Sequence, residues 1–358
     1  MKKVAIVYDR VNKWGGAERV LLALHEIFPK APLYTSVYDP AKAPWAKVFP
    51  VVKTSFLQKV PFTRSNHEFL GTFMPLAFES FDFSEYDLVI SVTSEAAKGI
   101  KTEGKTRHIC YCLTPTRYLW SGYNEYFKMG LFRSFTKPVV WLLRRWDKKA
   151  AGRPDVFVGI SKEVRKRIKR YYNRDSVVIF PPVNVLGAGK QVSPGHYMIV
   201  SRLDYGYKKV DLAIRTFNKL GLSLVIVGTG REERLLRKLA KDNIKFVGKV
   251  SEKKLHEYYM GTKALVMPQE EDFGITAVEA QSVGVPVIAY RKGGALDTVV
   301  SGKTGIFFDR QTVSSLEKAV IDFQKKKFDK RIIIKNSLRF SKRRFKKEFL
   351  DLTKKMLN

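Results

Sequence analysis

Two glutamates separated by seven residues, Glu271 and Glu279, stand out in the stretch from Met267 to Asp297. A strand leads into an acidic loop there, Gly274 opens a helix, Gly284 ends it, and Pro286 starts another buried strand. Were both carboxylates helical, eight residues at 1.5 Å each would hold them about 12 Å apart. An acid–base pair of the glycosidase kind needs roughly 5–9.5 Å, so the two are read as having different jobs. Cations that could work beside them lie upstream. Ser201-Arg202-Leu203-Asp204 closes a strand, and Lys208-Lys209-Val210-Asp211 opens a helix shortly after. A forked guanidinium and an ammonium on neighbouring loops suit a diphosphate, because both neutralise oxygens that gain charge as a leaving group departs. In a chain this basic, solvated surface charge is the other reading of the same residues.

A third group of candidates sits near the N-terminus, where Asp9 ends a strand and Gly15-Gly16-Ala17-Glu18-Arg19 precedes a helical pattern at Val20, Leu21, Leu24, Ile27 and Phe28. Glycines before a helix let backbone approach a phosphate that the helix N-terminus favours. The spacing is not the dinucleotide fingerprint, and a plain turn is the alternative. His25, His67, His108, His196 and His256 show no metal-ligand spacing, and Cys110 and Cys112 share one strand face in poor geometry for a bridge. No metal is expected, and reduced core thiols suit a cytoplasmic protein.

These groups need a scaffold, and 358 residues are enough for two domains, each with its own core. Apolar runs bounded by turn residues occur at Lys3 to Asp9, Leu33 to Tyr38, Asp87 to Thr93, His108 to Leu113, Val156 to Ser161 and Val177 to Phe180. The alternation with helical patterns restarts at His196 to Leu203, Ser223 to Gly228, Ile244 to Val250, Ala264 to Pro268, Pro286 to Tyr290 and Gly305 to Asp309. Strands apolar on both faces and separated by amphipathic helices predict two α/β, doubly wound parallel sheets. A proline- and glycine-rich break predicts domains at 1–182 and 196–340 with a linker at 183–195, followed by a basic helix at 341–358. From Phe323 onward fourteen Lys or Arg face three acids. In such folds ligands bind at the carboxyl ends of the strands.

The residues also carry a resemblance. Gly15-Gly16-Ala17-Glu18-Arg19, Tyr111-Cys112-Leu113-Thr114-Pro115, Ile160-Ser161, Pro181-Pro182-Val183, Ser201-Arg202-Leu203 and the stretch from Glu271 to Asp297 resemble the family-four retaining glycosyltransferases, above all the bacterial polysaccharide and O-antigen mannosyltransferases. The likeness runs over nearly the whole chain. It implies two Rossmann-like domains facing across a cleft, the GT-B fold, with the C-terminal helices packing back on the first domain. It implies a metal-independent hexosyl transfer, most naturally mannose from GDP-mannose, to a lipid-linked or oligosaccharide acceptor. No cofactor beyond the nucleotide-sugar substrate is implied. By the same resemblance, Glu271 meets donor-sugar hydroxyls, while backbone groups of Phe273, Gly274 and Ile275 hold sugar and phosphate oxygens. Glu279 binds the ribose, Arg202 and Lys208 grip the diphosphate, and Gly15 and Gly16 approach it from the first domain. Gly248 and Val250 read the base. Tyr205-Gly206-Tyr207 looks like a one-residue insertion, which makes Lys209 a substitute for Lys208. Leu113 stands where relatives usually have histidine and cannot transfer a proton, which implies altered donor choice, slower chemistry, or compensation by His108 or another nearby group.

Composition leaves partner questions open. The net charge is 66 − 34 = +32 on a chain that is 45% hydrophobic, which excludes disorder, and no apolar run could span a bilayer. Leu131 to Arg153 and Phe49 to Phe83 mix aromatics with cations, as a peripheral helix on an anionic membrane surface would, at the inner face of the cell membrane. Core packing is the other reading. Nucleic-acid binding is the rival outside enzymology, with Lys162 to Arg170 its best segment, but no fingerprint supports it. A UDP-sugar transferase and a nucleotide-sugar epimerase are the rivals within it. A pyridoxal-phosphate phosphorylase has no signature here.

Overall fold

The computed structural model describes residues 2–60, 71–126, 130–185, 187, 195–204 and 206–357. By packing, the chain divides into Met1–Pro182 with Lys342–Asn358, and Val183–Ser341. The first unit is built on β1 (Val4–Tyr8), β2 (Leu33–Thr35), β3 (Val52–Thr54), β4 (Leu88–Thr93), β5 (Arg107–Cys112), β6 (Val156–Gly159) and β7 (Val177–Val178). All pairings are parallel, in the order β3-β2-β1-β4-β5-β6-β7. Every residue of β4 is buried, because a parallel strand covered by helices on both faces has no wet side.

The second unit contains β8 (His196–Val200), β9 (Leu224–Val227), β10 (Ile244–Gly248), β11 (Thr262–Met267), β12 (Val287–Tyr290) and β13 (Gly305–Phe308), ordered β10-β9-β8-β11-β12-β13. Period-two alternation splits its apolar residues into two cores. Ile199, Ala264, Val266, Ile288 and Tyr290 face one side with Phe217 and Phe323. Met198, Leu265, Met267, Val287 and Ala289 face the other with Tyr259 and Ala280. The two doubly wound α/β sheets are those expected, and each of the twelve expected runs contains a strand. The thirteenth, β3, was not anticipated: it is a three-residue edge strand in a stretch that reads as aromatic.

The final helix, Lys342–Leu357, belongs to the first unit. Phe345 and Phe349 are fully buried there against the Tyr111 ring, at centroid distances of 5.8 and 6.2 Å. Lys342 and Lys346 both bond the Glu26 carboxylate. The preceding helix, Lys330–Leu338, stays in the second unit, where Asn336 donates to Gln281 Oε1 at 2.6 Å.

The aromatic stretches divide between core and surface. Phe49, Phe78 and Phe83 are buried, whereas Phe56 and Phe73 are exposed, and Phe62 and Phe69 lie outside the described residues. On the helix Gly130–Ala150, Val140 is buried, and Trp146 donates to Glu79 at 2.7 Å. Val139, Trp141 and Leu142 on that helix point outward, and the side chains of Phe132 and Phe135 lie outside those described. No helix among the described residues is long and apolar enough to cross a membrane. Cys110 and Cys112 are buried and unbridged, and burial pushes the Cys110 thiol up to about 12.

Candidate active site

Strand order reverses in the second unit between β8 and β11, with β9 and β10 to one side and β12 and β13 to the other. At such a point the loops leaving adjacent strands diverge to opposite faces, opening a crevice at the carboxyl edge. One ion pair spans it. Lys208 Nζ donates to Glu271 Oε1 at 2.5 Å, joining the segment after β8 to the loop after β11. Both side chains are largely covered, at 13% and 21% exposed. A second donor, Gln269 Nε2, reaches the same Oε1 at 2.9 Å.

Lys208 ends a short 3-10 turn, Gly206–Lys208, and Lys209 then caps the helix Val210–Leu220 with φ at 52°. Left-handed backbone disfavours a side chain, so the tight entry into that helix is paid for in strain while aiming Lys208 at Glu271. Of the two lysines, Lys208 is thus the one placed on the carboxylate; Tyr205 lies outside the described residues. Arg202 is exposed on the loop after β8, and its guanidinium pairs with none of the described residues.

The loop carrying Glu271 is clamped from behind. Gly294 N–H donates to Glu271 O at 2.7 Å, and Gly293, at φ +65°, packs so closely that a Cβ would stand 2.3 Å from that oxygen. Phe273 is buried against the Phe340 ring at 5.5 Å. Gly274, with φ +91°, caps the helix Ile275–Ser282 and has no side chain to offer its first N–H groups. Glu279 lies inside this helix, 5% exposed, with Tyr259 OH donating to its Oε2 at 3.1 Å. Its carboxylate is therefore held from the core side. Gly248 and Val250 lie at the end of β10, two strands from β8, or about 10 Å along the same edge.

The first unit handles its own reversal, between β1 and β4, differently. Asp9 at the end of β1 accepts from Thr93 Oγ1 and from the backbone N–H groups of Ser94, Glu95, Ala96 and Ala97. Arg10 pairs with Glu95 across the same gap, and burial raises the Glu95 carboxyl above its ordinary range. The donors that would cradle a phosphate already hold a carboxylate. At the glycine pair, Gly15 caps the helix Gly16–Ile27 without a side chain, and Glu18, 1% exposed, accepts from Tyr8 OH at 3.0 Å. Burial raises the Glu18 carboxyl, opposed by its own N–H, Tyr8 and the Gly15 N–H. A carboxylate of the protein's own thus sits at this helix start as well.

Leu113, half-buried, follows β5 and donates its N–H to Thr93 O at 2.8 Å. His108 does not compensate for it. It lies five residues back along the strand, about 16 Å away, fully buried with Nε2 on Ser91 Oγ at 2.8 Å, and burial pulls its pKa down to about 3. Reading the sequence missed Gln269 and Gly293. Neither carries a spacing signal: Gln269 meets Glu271 within the loop after β11, and Gly293 approaches it from the loop after β12.

Among the described residues no group of three His, Cys, Asp or Glu is placed to hold a metal ion. Comparison with known proteins falls on the same loops. Residues 189–340 match the family described as Glycosyl transferases group 1. A GDP-mannose-dependent alpha-(1-6)-phosphatidylinositol monomannoside mannosyltransferase of Mycobacterium tuberculosis is 36% identical over 115 residues, 28% of this chain and 30% of that protein. The chain thus aligns with under a third of the length of such curated relatives. An uncharacterised glycosyltransferase of Methanocaldococcus jannaschii is 22% identical over 56% of this chain and 58% of its own. Among solved structures, Anabaena HepE in complex with UDP and glucose superposes with a TM-score of 0.72 at 18% identity, covering 99% of this chain and 100% of that one. Sucrose-phosphate synthase of Thermosynechococcus elongatus gives 0.75 at 16%, covering 99% of each. The domain at 189–340, with its ion pair across the switch point, therefore belongs to the glycosyl transferases group 1 family, in a chain that carries the two-domain GT-B fold.

Proposed function

We propose that the chain transfers a hexose from a nucleotide sugar to a hydroxyl acceptor with retention of configuration. The observation that carries this reading is the Lys208–Glu271 pair across the switch point, where a dinucleotide-like ligand binds in doubly wound sheets. The sugar C1–O bond to the diphosphate breaks, and its electron pair leaves on the phosphate oxygen. The acceptor oxygen bonds C1 on the same face, and its proton passes to that phosphate oxygen. Arg202 and Lys208 neutralise charge that grows in the transition state, which is where binding energy lowers the barrier. Glu271 accepts hydrogen bonds from the transferred sugar, and Glu279 addresses the ribose. These two cations supply the electrostatics a divalent ion would otherwise bring.

GDP-mannose is the proposed donor, supported by relatives that are named as GDP-mannose-dependent mannosyltransferases. The acceptor is proposed to be lipid-linked or an oligosaccharide. An anionic membrane surface suits Val139, Trp141 and Leu142, which stand exposed beside Lys137, Arg145 and Lys148. Sedimentation with anionic liposomes at low salt tests that surface, and a protein left in the supernatant removes it.

A thermal-shift panel of GDP-mannose, UDP-glucose and the free nucleotides tests the donor, since bound ligand raises stability with the logarithm of its concentration over Kd. GDP-mannose should give the largest shift; a larger shift with UDP-glucose would reassign the base. Arg202→Ala should cut turnover by about 100-fold or more, and Glu279→Ala should weaken donor Kd more than kcat. Unchanged turnover in the first, or unchanged Kd in the second, would contradict the roles given.

A further inference from the structure

Buried polar atoms without a partner are rare in folded proteins, and one lies beside Glu271. Gln269 is 3% exposed. Its Nε2 donates to Glu271 Oε1, while its own Oε1 accepts from none of the described residues. Turning the amide over would set two oxygens against each other and lose the bond. A methionine is of similar length and would leave no orphaned acceptor, so packing alone does not favour glutamine here. What glutamine adds is the donor to Glu271.

The loop bearing it is tied down on both sides. Gln311 Nε2 donates to Pro268 O at 2.8 Å, and Gly294 N–H donates to Glu271 O. Lys208 and Gln269 both address Oε1 of Glu271, and Oε2 takes no hydrogen bond from the described residues. A diphosphate reaching this crevice competes with Glu271 for the Lys208 ammonium, because both are anions. The neutral Gln269 amide has no such competitor.

We infer that Gln269 is a positioning residue that holds Oε1 of Glu271, so that Oε2 stays turned to the transferred sugar when Lys208 moves to the diphosphate. Its contribution falls on recognition of the sugar and not of the nucleotide. The inference rests on the nucleotide-sugar reading of this site.

Gln269→Met separates these effects. Its Tm should equal or exceed that of the wild type, since the orphaned acceptor is gone. Affinity for GDP alone should stay within about twofold, while GDP-mannose binding and kcat fall about ten- to a hundredfold, the worth of one hydrogen bond to a charged group. Gln269→Glu, isosteric but without the donor and with a like charge, should lose more. A Gln269→Met protein with wild-type kcat and GDP-mannose affinity would overturn the inference, as would parallel loss of GDP affinity, GDP-mannose affinity and Tm. A stability cycle with Glu271→Met, read by denaturant without any substrate, tests the contact independently: bonded partners couple, and additive effects would refute the contact's role. If the wild type binds no nucleotide sugar, the functional reading falls, and that cycle still decides for or against the positioning.

Discussion

Gly293→Ala offers the sharpest examination of how the site is held. A Cβ at this position would stand 2.3 Å from Glu271 O and 3.3 Å from Glu271 C, both backbone atoms with no flexible chain to give way. Carbon–oxygen contacts close at about 3.3 Å, so the Glu271 loop must retreat by about 1 Å. Displacement of that size at a reacting centre costs about 100-fold in rate. Stability suffers as well. The left-handed φ of +65° costs an alanine about 1–2 kcal/mol, and stretching the Gly294–Glu271 hydrogen bond adds about 1 kcal/mol. For a domain of 150–250 residues the sum lowers Tm by about 4–12 °C. Gly302→Ala is the matched control, with φ at +73° but open space around the missing Cβ. It should show the backbone penalty alone, about 2–8 °C, with turnover near wild type. Transfer rates and melting curves for both variants are the assay. Full turnover in Gly293→Ala, or an equal rate loss in Gly302→Ala, would refute the claim that this glycine sets the position of Glu271.

Two further outcomes follow from the geometry. Lys208→Met should lower kcat by about 100-fold or more, whereas Lys209→Gly should relieve left-handed strain, gain about 1 kcal/mol and keep kcat within a few-fold; the reverse pattern would reassign the catalytic lysine. His108 is held neutral when folded, its pKa pulled to about 3, and titrates near 6.5 when unfolded, so the unfolded chain takes up the extra proton as pH falls. Stability should therefore drop by about 2 kcal/mol between pH 6.5 and 5, a loss that His108→Gln should lack, and urea midpoints that move equally in both proteins would contradict it.

The two units share a strand pattern but differ where it matters for a ligand. Each has an ion pair across its reversal, Arg10–Glu95 in one and Lys208–Glu271 in the other. In the first unit Asp9 absorbs four backbone N–H groups and a hydroxyl, and Glu18 sits at the glycine-loop helix start. In the second unit the helix Ile275–Ser282 starts at Gly274, which has no side chain to offer its first N–H groups. An anion placed by the chain itself and one supplied by a ligand use the same donors, so the diphosphate proposed for this chain is assigned to the second unit.

Periodicity and punctuation were enough for the two parallel sheets, for Arg202, Lys208 and Glu271 on segments that follow strands, and for Glu279 inside the next helix. Those features are local: an all-apolar strand, a glycine at a helix end and a basic pair before a helix each express backbone preference and burial within a few residues. The choice of Lys208 over Lys209, the inability of His108 to serve Leu113, the hold of Tyr259 on Glu279 and the part played by Gln269 and Gly293 were decided only in three dimensions. The Lys208–Glu271 and Tyr259–Glu279 contacts join residues 63 and 20 apart in the chain, and Gly293 meets the Glu271 backbone from the next loop. Such meetings are set by strand order and by close backbone approach, neither of which leaves a period in the chain.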